Sequence, residues 1–215
     1  MKNSILTLVL LLVGGSLFHE NKLLAQPLPV EISATHRAVW YQQLISRKMS
    51  KNSAWGFFSV SSWQKSYDIG SKAELMTQSY LSYQVHARVT ITAGVHYTHV
   101  TDWRPSLAVQ LNKKWKHAWI LLVPRTDIWR IPAFELMALY EYRPPITENI
   151  GLYSRIQIMS SVGASSHNRS YQHLRIGLDF KHFQTGLSLH LDEYGDNLIP
   201  VKSYGIFFRK EIGHE

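Results

Sequence analysis

Residues 171–195 read YQHLRIGLDFKHFQTGLSLHLDEYG, and apolar and polar side chains alternate there almost one for one. A period of two is the signature of a β-strand, because successive side chains leave opposite faces. Leu174, Ile176, Leu178 and Phe180 share one face, and His173, Arg175, Gly177, Asp179 and Lys181 share the other. After a tight turn at 182–183 the split resumes, with Thr185, Leu187, Leu189 and Leu191 against Gln184, Gly186, Ser188, His190 and Asp192. The same division runs through 87–97, where Ala87, Val89, Ile91, Ala93, Val95 and Tyr97 oppose Arg88, Thr90, Thr92, Gly94 and His96. Phe134, Leu136, Ala138, Tyr140 and Tyr142 oppose Glu135, Glu141 and Arg143, with Met137 and Leu139 interrupting the polar side.

Beyond residue 26 no stretch keeps a helical period. Alternating runs of about 9–13 residues recur instead, which is the repeat of a meander in which sequential strands pair. The strand candidates are 37–48, 54–65, 72–84, 87–99, 104–112, 117–125, 132–142, 149–161, 170–181, 184–193 and 200–210. Short breakers rich in Gly, Pro, Asn, Asp and Ser separate most of them, as turn geometry demands. Eleven candidates sit awkwardly with the even strand number of bacterial single-chain barrels. Either 28–48 holds a first short strand, giving twelve, or one candidate lies outside the wall, giving ten.

The first 25 residues are set aside from the fold. Lys2, the apolar run ILTLVLLLVGGSLF at 5–18, and Leu24-Ala25-Gln26 form the basic, apolar and small-residue succession of an export signal, whose Ala-Gln ending resembles signal peptides of exported Bacteroidota proteins. The apolar run is shorter than the ~20 residues a spanning helix requires. The reading is therefore 1–25 signal peptide, 26–36 a periplasmic segment or short first strand, and 37–215 one β-barrel domain. The chain contains no cysteine, which excludes a lipidated cysteine anchor, disulfides and thiolate chemistry.

Alternation alone leaves open which face meets water. A soluble sandwich or barrel turns the apolar face inward; a transmembrane barrel turns it outward and keeps polar groups in its lumen. Here the polar face mixes Gly94, Gly177, Gly186, Ser82, Ser188, Thr90 and Thr92 with isolated charges. Small residues beside long charged ones suit a crowded interior in which each charge finds a partner. Charged residues are only 18% of the chain, below the ~25% of ordinary soluble domains, while seven Trp and eleven Tyr are many. Trp55 and Trp63 share a face, and at ~3.3 Å per residue and a tilt near 40° they lie roughly 20 Å apart along a membrane normal. With Tyr83, Tyr97, Tyr142 and Tyr204 near strand ends, they form the expected aromatic girdle. The expected lumen charge network is Glu74, Arg88, Glu135, Glu141, Arg143, Arg155, Arg175, Asp179 and Lys181. The fold class read from these patterns is an antiparallel up-and-down transmembrane β-barrel of 10–12 strands, with a lumen largely filled by those side chains.

The stretches RAVWYQQLISRKMSKNSAWGFFSVSSWQKSY (37–67) and MTQSYLSYQVHARVTITAGVHYTH (76–99) carry a family resemblance. An early Trp-Tyr before a polar turn, and a Tyr before a turn followed by an alternating strand with Ala-Gly, resemble hairpins of small outer-membrane barrel proteins of Bacteroidota with no assigned activity. The resemblance implies a fold, an outer-membrane location, contact with outer-membrane lipids, and insertion by the barrel assembly machinery. It transfers no functional residue. The final run YGIFFRKEIGHE departs from the terminal aromatic usual in such barrels, its last aromatic being Phe208.

Chemistry-bearing motifs are sparse. A formal net charge of +8 raises nucleic-acid binding, but the basic residues are spread, no binding motif accompanies them, and no nucleic-acid partner is expected. His96 and His99 fall on opposite faces of a strand, so HYTH is no ligand pair. The acidic turn HLDEYGDN (190–197) lacks the ligand rhythm of a calcium loop. Ser188, His190 and Asp192 line one face, but steps of ~7 Å are too long for a hydrogen-bonded relay without cross-strand partners. No cofactor, metal or catalytic residue is assigned. The reading is a structural or restricted-permeability barrel. The alternatives are an outer-membrane lipid-modifying enzyme and a soluble periplasmic barrel binding a small apolar ligand. The export signal predicts a mature chain beginning at Gln26; N-terminal mass analysis of the membrane-extracted protein checks this, and retention of Met1 contradicts it.

Overall fold

The computed structural model describes residues 28–164, 166–180 and 182–212, so the expected signal peptide and Lys181 lie outside the described residues. Twelve strands follow one another: β1 Leu28–Thr35, β2 Ala38–Lys48, β3 Trp55–Ser66, β4 Glu74–His86, β5 Val89–Thr98, β6 Asp102–Lys114, β7 Ala118–Asp127, β8 Phe134–Tyr142, β9 Ile150–Val162, β10 His167–Phe180, β11 Phe183–Tyr194 and β12 Ile199–Ile212. Each pairs antiparallel with its sequence neighbours, and β1 pairs with β12 to close the ring. All eleven expected strands are present. The twelfth is β1, whose residues LPVEISAT alternate as cleanly as any other.

The connections are short. The longest, 67–73 and 143–149, are seven residues each. One rim carries the chain ends with the β2–β3, β4–β5, β6–β7, β8–β9 and β10–β11 turns. The opposite rim carries the β1–β2, β3–β4, β5–β6, β7–β8, β9–β10 and β11–β12 turns.

The barrel is inside-out relative to a water-soluble one. Ile176 is 57% exposed and its chain neighbour Arg175 is 4% exposed. Leu81, Ile91, Leu107, Leu136, Ile156, Leu187 and Ile206 also face outward, while Glu31, Gln42, Gln78, Arg125, Arg155, His173 and Arg209 are buried inside. In water this outer band would leave a large apolar area hydrated, far beyond the patches soluble monomers expose. The six expected girdle aromatics lie on the outer face near the strand ends. Trp55, Tyr83 and Tyr142 stand toward the rim of the chain ends, with Trp55 and Tyr83 rings 4.9 Å apart; Trp63, Tyr97 and Tyr204 stand toward the opposite rim.

Two local features shape the wall. Gly177 and Gly186 face each other across β10 and β11, and their backbones approach so closely that a Cβ on Gly186 would lie 2.2 Å from the carbonyl oxygen of Ile176. Glycine is required there for backbone approach, the device by which a sheet bends to close. Between β6 and β7 the ladder skips Val109 and Gln110, which lie opposite Pro124 and Val123, and Pro124 has no N–H to give.

Replacing Ile176 by Arg, if the site lies near a bilayer midplane, destabilises the barrel by about 2–4 kcal/mol. Gly186→Ala acts differently, by forcing β10 and β11 apart. Denaturant titration in lipid vesicles measures both, and an unchanged midpoint for Ile176→Arg would show that this face does not meet lipid.

Candidate functional site: the filled lumen

The inward side chains divide into an apolar half and an ionic half. Leu44 (β2), Phe58 and Val60 (β3), Tyr80 (β4), Ala108 (β6), Leu121 and Val123 (β7), and Met137 and Leu139 (β8) form one buried cluster inside the wall. Met137 and Leu139, which break the polar pattern of their strand, therefore point inward like their polar neighbours. They fill the lumen against residues from the facing part of the ring.

The ionic half is built mainly from β1, β2 and β8–β12, and one further charged group lies beside the apolar cluster under β4, β5, β7 and β8. Glu31 lies at the centre of the ionic half. Its carboxylate accepts from Arg175 Nε at 2.7 Å and from Arg155 Nη1 at 3.4 Å. Arg155 also donates to Gln42 at 2.8 Å and to Gln157 at 2.5 Å, and Gln157 donates to the Tyr171 hydroxyl at 2.8 Å. Nearer the rim of the chain ends, Arg143 donates to Asp179 and Glu211, each at 2.8 Å. Arg209 donates to Gln184 at 2.8 Å and Glu211 at 3.1 Å, and Glu141 accepts from the Tyr153 hydroxyl at 3.2 Å. A third group joins Arg125 to Asp127 and Glu135, with Gln78 donating to Glu135 at 2.8 Å and His96 Nδ1 3.6 Å from Asp127.

Several of these contacts cross the lumen. Arg155 on β9 and Gln42 on β2 are five strands apart around the ring. Arg169 on β10 and Glu74 on β4 are six apart, which is diametrically opposite, and their charged groups meet at 3.3 Å. The central side chains of Glu31, Arg155 and Arg175 are 3–8% exposed, whereas those of Arg169 and Glu74 are 26% and 37% exposed. The mouth is wet and the middle is dry.

A separate group sits under the Arg169–Glu74 bridge. His173 on β10 and His190 on β11 are directly opposite in register, their rings stacked 4.2 Å apart. Asp192, two residues along β11, places Oδ2 3.5 Å from His173 Nε2 and accepts from Arg169 Nη2 at 2.6 Å through Oδ1. The Trp40 indole meets both imidazoles edge-on, at 5.2 and 5.3 Å between ring centres. Ser188 Oγ makes no hydrogen bond, so Ser188, His190 and Asp192 are not assembled into a relay.

Of the expected lumen charges, Glu74, Glu135, Glu141, Arg143, Arg155, Arg175 and Asp179 all join these networks. Arg88 does not. It is exposed, because the β4–β5 connection is the two-residue turn Ala87–Arg88 and β5 begins only at Val89. Arg155 and Arg175 converge on Glu31, and Glu135 pairs with Arg125. Glu31, Arg125, Asp127, Arg169, Asp192, Arg209 and Glu211 were absent from the expected network. For Glu31 a signal was available in the alternation of LPVEISAT.

No family model matches the chain, and no curated protein matches it. Among solved structures, a NanC porin aligns over 86% of this chain and 98% of its own at 11% identity, with a TM-score of 0.51. A KdgM porin in complex with disordered oligogalacturonate aligns over 86% and 98% at 12% identity, with a TM-score of 0.49. LpxR from Salmonella typhimurium aligns over 86% and 99% at 7% identity, with a TM-score of 0.42. At such identities the likeness is one of fold. This chain is a twelve-stranded antiparallel closed barrel, a fold it shares with the NanC porin.

Removing the central carboxylate should be far costlier than removing the one at the mouth. Glu31→Ala leaves the Arg155 and Arg175 guanidiniums unpaired in a dry interior and is expected to cost about 3–5 kcal/mol. Glu74→Ala breaks a hydrated pair worth about 1 kcal/mol or less. Equilibrium unfolding of both variants in the same detergent compares them, and equal losses would contradict the wet-mouth, dry-centre division.

Proposed function

We propose that this chain is an outer-membrane barrel whose lumen is closed by its own side chains, serving a structural or tightly restricted-permeability role. The observation that carries the reading is the set of cross-lumen contacts, with Arg155 reaching Gln42 and Glu31, and Arg169 reaching Glu74. A twelve-stranded ring is only modestly wider than the eight-stranded kind that side chains alone can fill. Long residues from opposite walls meet within it, and the apolar cluster under β2–β8 occupies the remaining side.

The location is supported by three independent features: the export-signal pattern at the N-terminus, the outward apolar band, and aromatics at both ends of that band. Its partners on this reading are the surrounding outer-membrane lipids and, during insertion, the barrel assembly machinery. A soluble barrel holding an apolar ligand would carry its apolar face inside, whereas here most large outward residues are apolar. Carbonate-washed outer membranes should retain the protein, and unboiled samples should migrate faster than boiled ones on gels.

Planar-bilayer recording tests closure directly. The wild-type protein is expected to show no steady openings or only small ones. A variant combining Glu31→Ala and Arg155→Ala removes the central bridge and is expected to conduct more than the wild type. Large, stable, voltage-independent openings of the wild type would overturn the closed-lumen reading.

A further inference from the structure

We infer that His173, His190 and Asp192 form a binding site for a divalent first-row transition metal of the zinc class, set inside the lumen beneath the Arg169–Glu74 bridge. Each residue offers one ligand atom, and these atoms lie within 4.8 Å of one another. In a tetrahedral zinc site, bonds of ~2.0–2.1 Å hold neighbouring ligand atoms roughly 3.4 Å apart. Rotation of the side chains about χ1 and χ2 would have to supply up to about 1.4 Å of convergence and unstack the two rings. The backbone already favours the arrangement. His173 and His190 are a directly opposed cross-strand pair, and Asp192 shares the inward face of β11 with His190.

Three further observations point to a ligand. First, all three residues are buried, and neither ring nitrogen of His173 nor Nε2 of His190 makes a hydrogen bond. A buried imidazole nitrogen that makes no hydrogen bond is costly, and coordination of its lone pair would relieve that cost at one nitrogen of each ring. Second, the carboxylate is oriented from outside the cluster. Arg169 holds Oδ1 of Asp192, leaving Oδ2 turned toward His173. Outer hydrogen bonds of this kind fix the direction of metal ligands. Third, the Trp40 indole closes one side of the pair, giving the apolar wall that shields a site from bulk water.

The neighbouring cations do not forbid a metal ion. The three guanidiniums here, Arg155, Arg169 and Arg175, are matched in number by the carboxylates they pair with, Glu31, Glu74 and Asp192. Imidazole nitrogen with one carboxylate oxygen suits zinc, copper or nickel better than magnesium or calcium, which prefer all-oxygen shells. Three protein ligands leave a fourth position for water or a small exchangeable ligand. The site lies toward the wet mouth, on the side reached past Glu74 and Arg169. This inference does not depend on whether the lumen conducts.

The test uses the mature protein, purified without a polyhistidine tag and folded in detergent. Zn²⁺ binding is measured by isothermal titration, and Co²⁺ binding by visible absorption. The expected result is one equivalent per chain, with a Co²⁺ spectrum more intense than that of the aquo ion, as low coordination number requires. His173→Gln and His190→Gln should each weaken binding at least about ten-fold, with Asp192→Asn also weakening it. His86→Gln and His99→Gln, on exposed histidines, should bind as the wild type does. Heat-modifiable migration shows which variants are folded. Absence of stoichiometric binding, an aquo-like Co²⁺ spectrum, or undiminished affinity in the folded His173→Gln/His190→Gln double variant would overturn the site. If that double variant does not fold, the wild-type Co²⁺ spectrum and the Asp192→Asn titration decide the matter.

Discussion

The pairing of β1 with β12 is the contact on which the rest of the structure depends. A sheet of alternating strands has two edges of unpaired N–H and C=O groups, and in hydrocarbon each such group costs several kcal/mol. Eight residue pairs, from Leu28 with Ile212 to Thr35 with Gly205, remove both edges at once. Closure also decides which face is inside. Once the ring is made, every inward side chain competes for one bounded volume and every outward one meets the surroundings. The Gly177–Gly186 approach belongs to the same requirement, because a ring of this curvature needs places where neighbouring backbones nearly touch.

The interior solves its packing in two ways. Under β2–β8 an apolar cluster that includes Phe58, Tyr80, Leu121 and Leu139 packs as in the core of a soluble protein, beside one buried charged group, Arg125 with Asp127 and Glu135. Under β8–β12 and β1 the interior is a chain of guanidiniums, carboxylates and amides in which the glutamines matter as much as the charges. Gln157 links Arg155 to Tyr171, and Gln184 links Arg209 to Asp179. Each is a bifunctional spacer, donating at one end and accepting at the other, and so lets charges be satisfied at distances a direct pair could not span.

The wall was legible in the sequence because a period of two survives in nearly every strand, and turn residues mark most of the boundaries. The twelfth strand was harder to place because LPVEISAT is short and follows closely on the expected export signal. Which charges lie inside was readable for Glu135, Arg155 and Arg175 from parity alone. Their partners were not, because partnership across a ring depends on strand number and stagger, and neither is written in local alternation. Arg88 shows the opposite limit. Its parity was right for the lumen, but a two-residue turn ends the ladder before parity has meaning. The His173–His190–Asp192 cluster needed the β10–β11 register, since only one of its two histidines shares a strand with the carboxylate.

The position of Glu31 in the chain has a kinetic consequence. Its partners Arg155 and Arg175 lie 124 and 144 residues away, so a carboxylate of the first strand neutralises guanidiniums of the ninth and tenth. No growing or partly zipped sheet can make those contacts before the first and last strands meet. Until then both arginines must stay hydrated. The approach to the closed ring therefore holds water around Arg155 and Arg175, while the apolar cluster of β2–β8 and the Arg125–Glu135 pair beside it can consolidate from contacts nearer in sequence. The last seam and the expulsion of that water become a single event, and a ring that reopens at β1–β12 is penalised twice: by its bare edges and by two cations that have lost their common anion.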